Sequence, residues 1–187
     1  PYISDVNDVY HSIRMANQAI QELTHNGFGP VQLCVPWLDF PLGNEEPILR
    51  CVQRHGTEDC WNLPLKGKKV MVVIGEHRPF NARIHKLIND FCERWGAVVY
   101  ANLLSNFHSP YCVATNMLMS SLSMETFGQM APDIMITIGG QTGDYPLYRM
   151  ISKPEFASIE HWRIAEDGNV VDTYDKLTEV FQCSEDF

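Results

Sequence analysis

Lys69-Val70-Met71-Val72-Val73-Ile74-Gly75, residues 69–75, decides the fold. Its five apolar residues run without a polar break and stop at a glycine. A strand with one face in water alternates apolar and polar side chains, whereas a continuous run marks a strand covered on both faces, as in a parallel sheet. The segment Phe80 to Trp95 follows with Ile84, Leu87, Ile88, Phe91, Cys92 and Trp95 on one helical stripe, and Gly96 ends it. Ala97-Val98-Val99-Tyr100 reads as the next strand, Ala114 to Gln129 as helix in two pieces, and Ile134 to Ile138 as another buried strand closed by Gly139-Gly140. Asp144 to Ile151 reads as a short helix, Ser158 to Ile164 as a strand, and Tyr174 to Gln182 as a last helix on Tyr174, Leu177, Val180 and Phe181. Strand and helix thus alternate, and right-handed crossovers turn that order into an α/β fold. The expected architecture is a Rossmann-like open parallel sheet with helices on both faces.

Upstream the texture differs. Ser4 to Thr24 has the helical period, and Asn26-Gly27 stops it. Val31 to Val35 alternates like a strand and ends at Pro36. The stretch Trp37 to Pro64 is rich in proline and holds no sustained period, apart from a short helix expected around Glu45–Gln53. The division read from these changes is a helix–strand segment of a neighbouring domain over 1–42, a linker over 43–65 and a central α/β domain over 66–187. The chain starts at Pro1 and not at a methionine, which reads as a piece of a longer polypeptide.

Composition narrows the function. Against 14 Lys and Arg stand 23 Asp and Glu, a formal charge of −9. An acidic chain lacks the basic footprint that nucleic acids and anionic membranes require. No apolar run reaches the roughly 18 residues of a membrane span. Pro1 to Arg14 does not read as a signal peptide. The six cysteines have wide, irregular spacings, which points to reduced thiols and a cytoplasmic protein. Cys51, His55 and Cys60 lack the four ligands in short pairs that a structural zinc site uses, so no metal site is read here.

Ligands of such folds sit at the carboxyl ends of the strands. Those ends are Gly75-Glu76-His77-Arg78 and Gly139-Gly140-Gln141-Thr142-Gly143-Asp144. Gly75, Gly139 and Gly140 would let the backbone approach a phosphate, and Arg78 is placed to neutralise it. Neither turn is GxGxxG or a Walker loop, and glycine is also what any tight strand-to-helix turn needs. Nucleotide binding (FAD, ADP or NAD) and plain turn geometry both remain open readings. Glu76, His77 and Arg78 have the side chains for acid–base work, but a charged loop tip reads the same way. His85 and His108 stand alone. His161 and Arg163 share one face of a strand with Trp162 on the other, and that face is expected to be exposed or to meet a neighbouring domain. A pure interaction module, with Trp37–Phe40 as its patch, is a third reading.

Two stretches carry a resemblance. Gly29-Pro30-Val31-Gln32-Leu33-Cys34-Val35-Pro36, after an amphipathic helix, resembles the junction at which thiamine-diphosphate-dependent enzymes leave the pyrimidine-binding domain for the central domain. Gly67 to Gly75, Pro132-Asp133-Ile134 to Gly139, and Ile159 to Asp172 resemble strands of that central domain. Within the family the nearest likeness is to the succinyl-enolpyruvyl-hydroxycyclohexene-carboxylate synthases of menaquinone biosynthesis, or a related carboligase or decarboxylase. The resemblance implies a parent that uses thiamine diphosphate and Mg²⁺ and works as a homodimer or tetramer, with this part non-catalytic. The family's catalytic glutamate lies in the domain upstream, and its metal motif, GDG followed by an asparagine, lies in the last domain. Gly143-Asp144 is followed by Tyr145, and Asp167-Gly168 lacks the preceding glycine, so no catalytic residue is carried over.

Overall fold

A computed structural model describes residues 6–34, 50–113 and 116–187. The chain packs as two units, Pro1–Gln53 and Arg54–Phe187.

The first unit is built on helix α1 (Val6–Glu22). Its amide side chains hold the returning chain. Asn17 donates to the Arg50 carbonyl at 2.6 Å and accepts from the Val52 N–H at 3.0 Å, and Gln21 donates to the Val52 carbonyl at 2.7 Å. Ile13 and Val52 are buried. The strand expected at Val31–Val35 is not formed over Val31–Cys34; these residues are exposed, and alternation alone does not make a strand without a partner to pair with. Val35, the Trp37–Phe40 patch and most of the expected Glu45–Gln53 helix lie outside the described residues. The described end of that helix is not helical, because Gln53 opens strand β1 (Gln53–His55).

The second unit is a doubly wound sheet. Its strands are β2 (Val70–Ile74), β3 (Val98–Ala101), β4 (Cys112–Val113), β5 (Ile134–Ile138), β6 (Glu160–Ile164) and β7 (Leu177–Phe181), with β1 at one edge. The order is β1-β7-β6-β5-β2-β3-β4, and every pairing from β7 through to β4 is parallel. The chain winds outward from β2 to β4 and then restarts on the other side of β2 at β5. This places the topological switch point between the carboxyl ends of β2 and β5.

Residues of both faces of β2 are buried, as its unbroken apolar run requires. On one face Val70, Val72 and Ile74 join Ile134, Ile136, Ile138 and Trp162 beneath helix α2 (Ala82–Trp95), which contributes Ile88 and Cys92. Asn81 caps α2 by accepting from the Ile84 N–H at 2.9 Å. On the other face Met71, Val73 and Met135 pack with Tyr100 and with side chains of helices α3 (Asn116–Ser121), α4 (Met124–Met130) and α5 (Tyr145–Ile151).

The last expected helix is a strand. Tyr174 to Gln182 shows apolar residues three apart, but Leu177–Phe181 is β7. The ladder explains the misreading. His161 pairs with Leu177 and Trp162 with Glu179, so Thr178 is an extra bulged residue. The bulge puts Leu177 and Val180 on the same face, and a three-residue spacing that mimics a helix results. β1 and β4 also escape the sequence, because three and two residues are too few to show a period.

Leu177 is fully buried. Leu177→Ala is expected to cost about 2–5 kcal/mol in urea unfolding. Slow amide exchange and extended carbon shifts at Thr178 to Phe181 will show the strand; helical shifts there would contradict it.

Candidate functional site

The turns after β2 and β5 meet at the switch point and close on each other. Gly75 N–H donates to the Ile138 carbonyl at 2.9 Å, Glu76 N–H to the Gln141 carbonyl at 2.9 Å, and Gly140 N–H to the Glu76 carbonyl at 2.9 Å. His77 N–H donates to the Leu104 carbonyl at 3.0 Å. A Cβ on Gly75 would stand 2.0 Å from the Gly140 oxygen, and one on Gly139, whose φ is +80°, would stand 2.9 Å from the Glu76 oxygen. Gly75 and Gly139 are therefore required by the approach of one turn to the other. Four of the backbone donors at these strand ends, the N–H groups of Gly75, Glu76, His77 and Gly140, already have acceptors.

The structure brings Gly75, Gly139 and Gly140 together and leaves Arg78 apart. Arg78 is exposed and lines none of the cavities at the strand ends. Beside the turns lies a crevice of about 500 Å³, walled by His77, Gly139, Gly140, Arg163, Glu166 and Glu185 among others. That size suits a small ligand. His77 is held on three sides. Its ring stacks on Phe80 with centroids 3.9 Å apart, Nδ1 meets the Arg78 carbonyl, and Nε2 lies 3.0 Å from Glu185 Oε2. Burial pushes the Glu185 carboxyl up, with His77 opposing.

Behind the crevice is a buried polar layer that sequence reading did not anticipate. His161 is only 1% exposed. Its Nε2 lies 2.9 Å from Thr137 Oγ1, its Nδ1 lies 3.8 Å from Asp172 Oδ1, and Tyr174 packs edge-on to the ring. The face of β6 that carries His161 is thus covered by its own chain. Asp172 also accepts from the Lys176 and Leu177 N–H groups at 2.9 and 3.0 Å. Burial pushes the Asp172 carboxyl up, but the bond and charge of His161 and the two backbone donors outweigh it and hold the group below the usual carboxylate range. Asp144, 4% exposed, accepts from Tyr100 Oη–H and from the Leu147 N–H at 3.2 Å, which caps α5. Burial and the Asp144 carboxylate push the Tyr100 phenol up.

Hydroxyl, imidazole and carboxylate at Thr137, His161 and Asp172 share the order of a nucleophilic triad. The space that Thr137 and His161 line holds only about 20 Å³, less than the pockets that enclose small ligands.

The other titratable candidates are also occupied. His85 Nε2 meets the His108 carbonyl at 2.7 Å. His55 Nε2 meets Glu179 Oε2 at 2.6 Å and its ring stacks on Phe181, so it does not join Cys51 and Cys60. Burial pushes the Cys92 thiol up to about 11, with Cys112 adding to the shift, and such a thiol is a poor nucleophile at neutral pH. Among the described residues no three His, Cys, Asp or Glu side chains gather as a metal site. Both carboxylate oxygens of Asp144 have donors, so the Gly143-Asp144 pair does not fit a metal-bound diphosphate. Among the described residues no helix is long and apolar enough to cross a membrane.

No protein-family model matches the chain. Curated proteins do. The chain is 26% identical over 97% of its length to the 2-succinyl-5-enolpyruvyl-6-hydroxy-3-cyclohexene-1-carboxylate synthase of Bacteroides thetaiotaomicron. The identity is 27% over 97% of the chain for the synthase of Phocaeicola vulgatus and 23% over 93% for that of Bacteroides fragilis strain ATCC 25285. The chain resembles these synthases along nearly its whole length. It spans about a third of theirs, 33–34%.

Gly75→Ala is expected to unfold the second unit or cost more than about 3 kcal/mol, whereas Gly29→Ala, with open space at its Cβ, should change stability by less than about 0.5 kcal/mol. Equal effects would contradict the turn geometry. Because the folded Asp172 carboxyl is depressed, its stabilisation is full above the ordinary carboxylate range and lost as pH falls through it toward the folded value. Asp172→Asn should flatten the fall in unfolding free energy below about pH 4, measured by urea titration at several pH values.

Proposed function

We propose that this chain is the central, non-catalytic part of a thiamine-diphosphate-dependent 2-oxo acid decarboxylase and carboligase of the kind it resembles, serving menaquinone biosynthesis in the cytoplasm. The observation that carries the reading is similarity to the synthases over 97% of the chain but only 34% of theirs. The bonds between the two turns are compatible with it, because the Gly75, Glu76 and Gly140 N–H groups already have acceptors within the chain. In this reading residues 1–42 are the tail of the pyrimidine-binding domain, 43–65 a linker and 66–187 the central domain, which orders the cofactor domains and the dimer. When bound in the parent, thiamine diphosphate with Mg²⁺ supplies the carbanion chemistry. The residues described here do not fit that group, and no step is assigned to them.

The test compares this chain with a longer polypeptide that contains it. Calorimetry with thiamine diphosphate and Mg²⁺ should give no binding to residues 1–187. The longer polypeptide should bind the cofactor and release CO₂ from a 2-oxo acid. Cofactor binding by the chain alone, or a longer polypeptide inert to both, would overturn the proposal. Titration with FAD, ADP and NAD tests the alternative of a free-standing nucleotide-binding domain, which saturable binding lost in Gly139→Val would establish.

A further inference from the structure

The two faces of the parallel sheet are covered unequally. Three helices, α3, α4 and α5, supply side chains to the face of Met71 and Val73. On the face of Val72 and Ile74, α2 is the one helix that joins the core among the described residues. Parallel sheets occur with both faces covered. Beside α2 this face carries an apolar groove of about 270 Å³, lined by Leu87 and Phe91 of α2, Ile136 and Ile138 of β5, Ile164 of β6 and Phe187, among others. Leu87 is 41% exposed and Phe187 67%.

The residues after β7 reach the lip of this groove and begin a helical turn there. Ser184-Glu185-Asp186-Phe187 has the order of a helix start, a hydroxyl residue followed by two acids. Phe187 N–H donates to the Ser184 carbonyl at 3.2 Å, which closes one turn. Ion pairs pin the turn in place. Glu185 Oε2 lies 3.0 Å from His77 Nε2, and Asp186 Oδ2 lies 3.3 Å from Nη1 of Arg83 in the first turn of α2. The two carboxylates also suit the positive end of a helix dipole.

We propose that Ser184 to Phe187 is the first turn of an amphipathic helix that continues in a longer polypeptide and lays its apolar face in the groove between α2 and strands β5 and β6. The direction fits. Helix α2 leaves the carboxyl end of β2 and returns to the amino end of the parallel strand β3, so it runs against the strands. A helix from Ser184 leaves the carboxyl end of β7 and, returning across the sheet, runs the same way beside α2. Apolar side chains three and four residues apart then enter the groove, and the polar side faces water. The inference rests on the reading of this chain as part of a longer, synthase-like polypeptide, which its span of 34% of the synthase's length supports.

Hydrogen exchange on that longer polypeptide, read peptide by peptide by mass spectrometry, tests the docking. The roughly ten residues after Phe187 are expected to be protected as a helix. Leu87→Glu, which puts a charge in the groove wall, should abolish that protection and leave the urea midpoint of residues 1–187 unchanged. Fast exchange of the segment in the wild type, protection that survives Leu87→Glu, or a polypeptide that ends at Phe187 would overturn the proposal. So would a dimer of residues 1–187 on sizing chromatography that Leu87→Glu splits, because a second copy would then fill the groove. Should Leu87→Glu not fold, exchange in the wild type decides. Thiamine diphosphate binding is measured on the same polypeptide, so the two readings fail separately: protection without cofactor binding keeps the docked helix and removes the synthase.

Discussion

The approach of Gly75 to Gly140 is the contact on which the second unit depends. The Gly75 site leaves 2.0 Å between a would-be Cβ and the Gly140 oxygen, so the two turns touch backbone to backbone. Three N–H groups bridge them, and their acceptors are the carbonyls of Ile138, Gln141 and Glu76 on the opposite strand end. These bonds clamp the ends of the two strands where the winding reverses. In other doubly wound sheets this reversal opens a crevice for a ligand, and the amide groups there remain free to bind it. Here the Gly75, Glu76 and Gly140 N–H groups are spent on holding the two strand ends together, and the crevice lies to one side, towards β6.

The same economy runs through the polar layer on one face. Thr137, His161 and Asp172, and Tyr100 with Asp144, place titratable side chains deep in the unit, yet each finds a partner. A charge so placed is tolerable only when it is paired and hydrogen-bonded. The Asp172 carboxylate also fixes the turn into β7 through two backbone N–H groups, so one side chain orders both a sheet face and a strand entrance.

The features legible in the sequence were those with a long, uniform pattern. The apolar run at 70–74 gave a buried strand, the stripe from Ile84 to Trp95 gave α2, and Ile134 to Ile138 gave β5. β7 was misread because a single bulged residue, Thr178, turned a two-residue alternation into a three-residue one. The glycines of the strand ends were found, but their reason was not, since a close backbone approach and a phosphate loop call for the same residue. Arg78 drew attention by its charge next to Gly75, and it stands exposed. Tyr174 was read only as part of the last helix, and Asp172 and Thr137 only as parts of their segments; they come from separate stretches, and only the fold brings them to His161.

The central claim is that the strand-end amides are closed on each other and not reserved for a ligand. Hydrogen exchange at Gly75, Glu76 and Gly140 in this chain, with and without ADP or FAD, tests it most directly. The account predicts protection close to that of the β2 and β5 core in both conditions. Fast exchange that slows only when a nucleotide is added would contradict it.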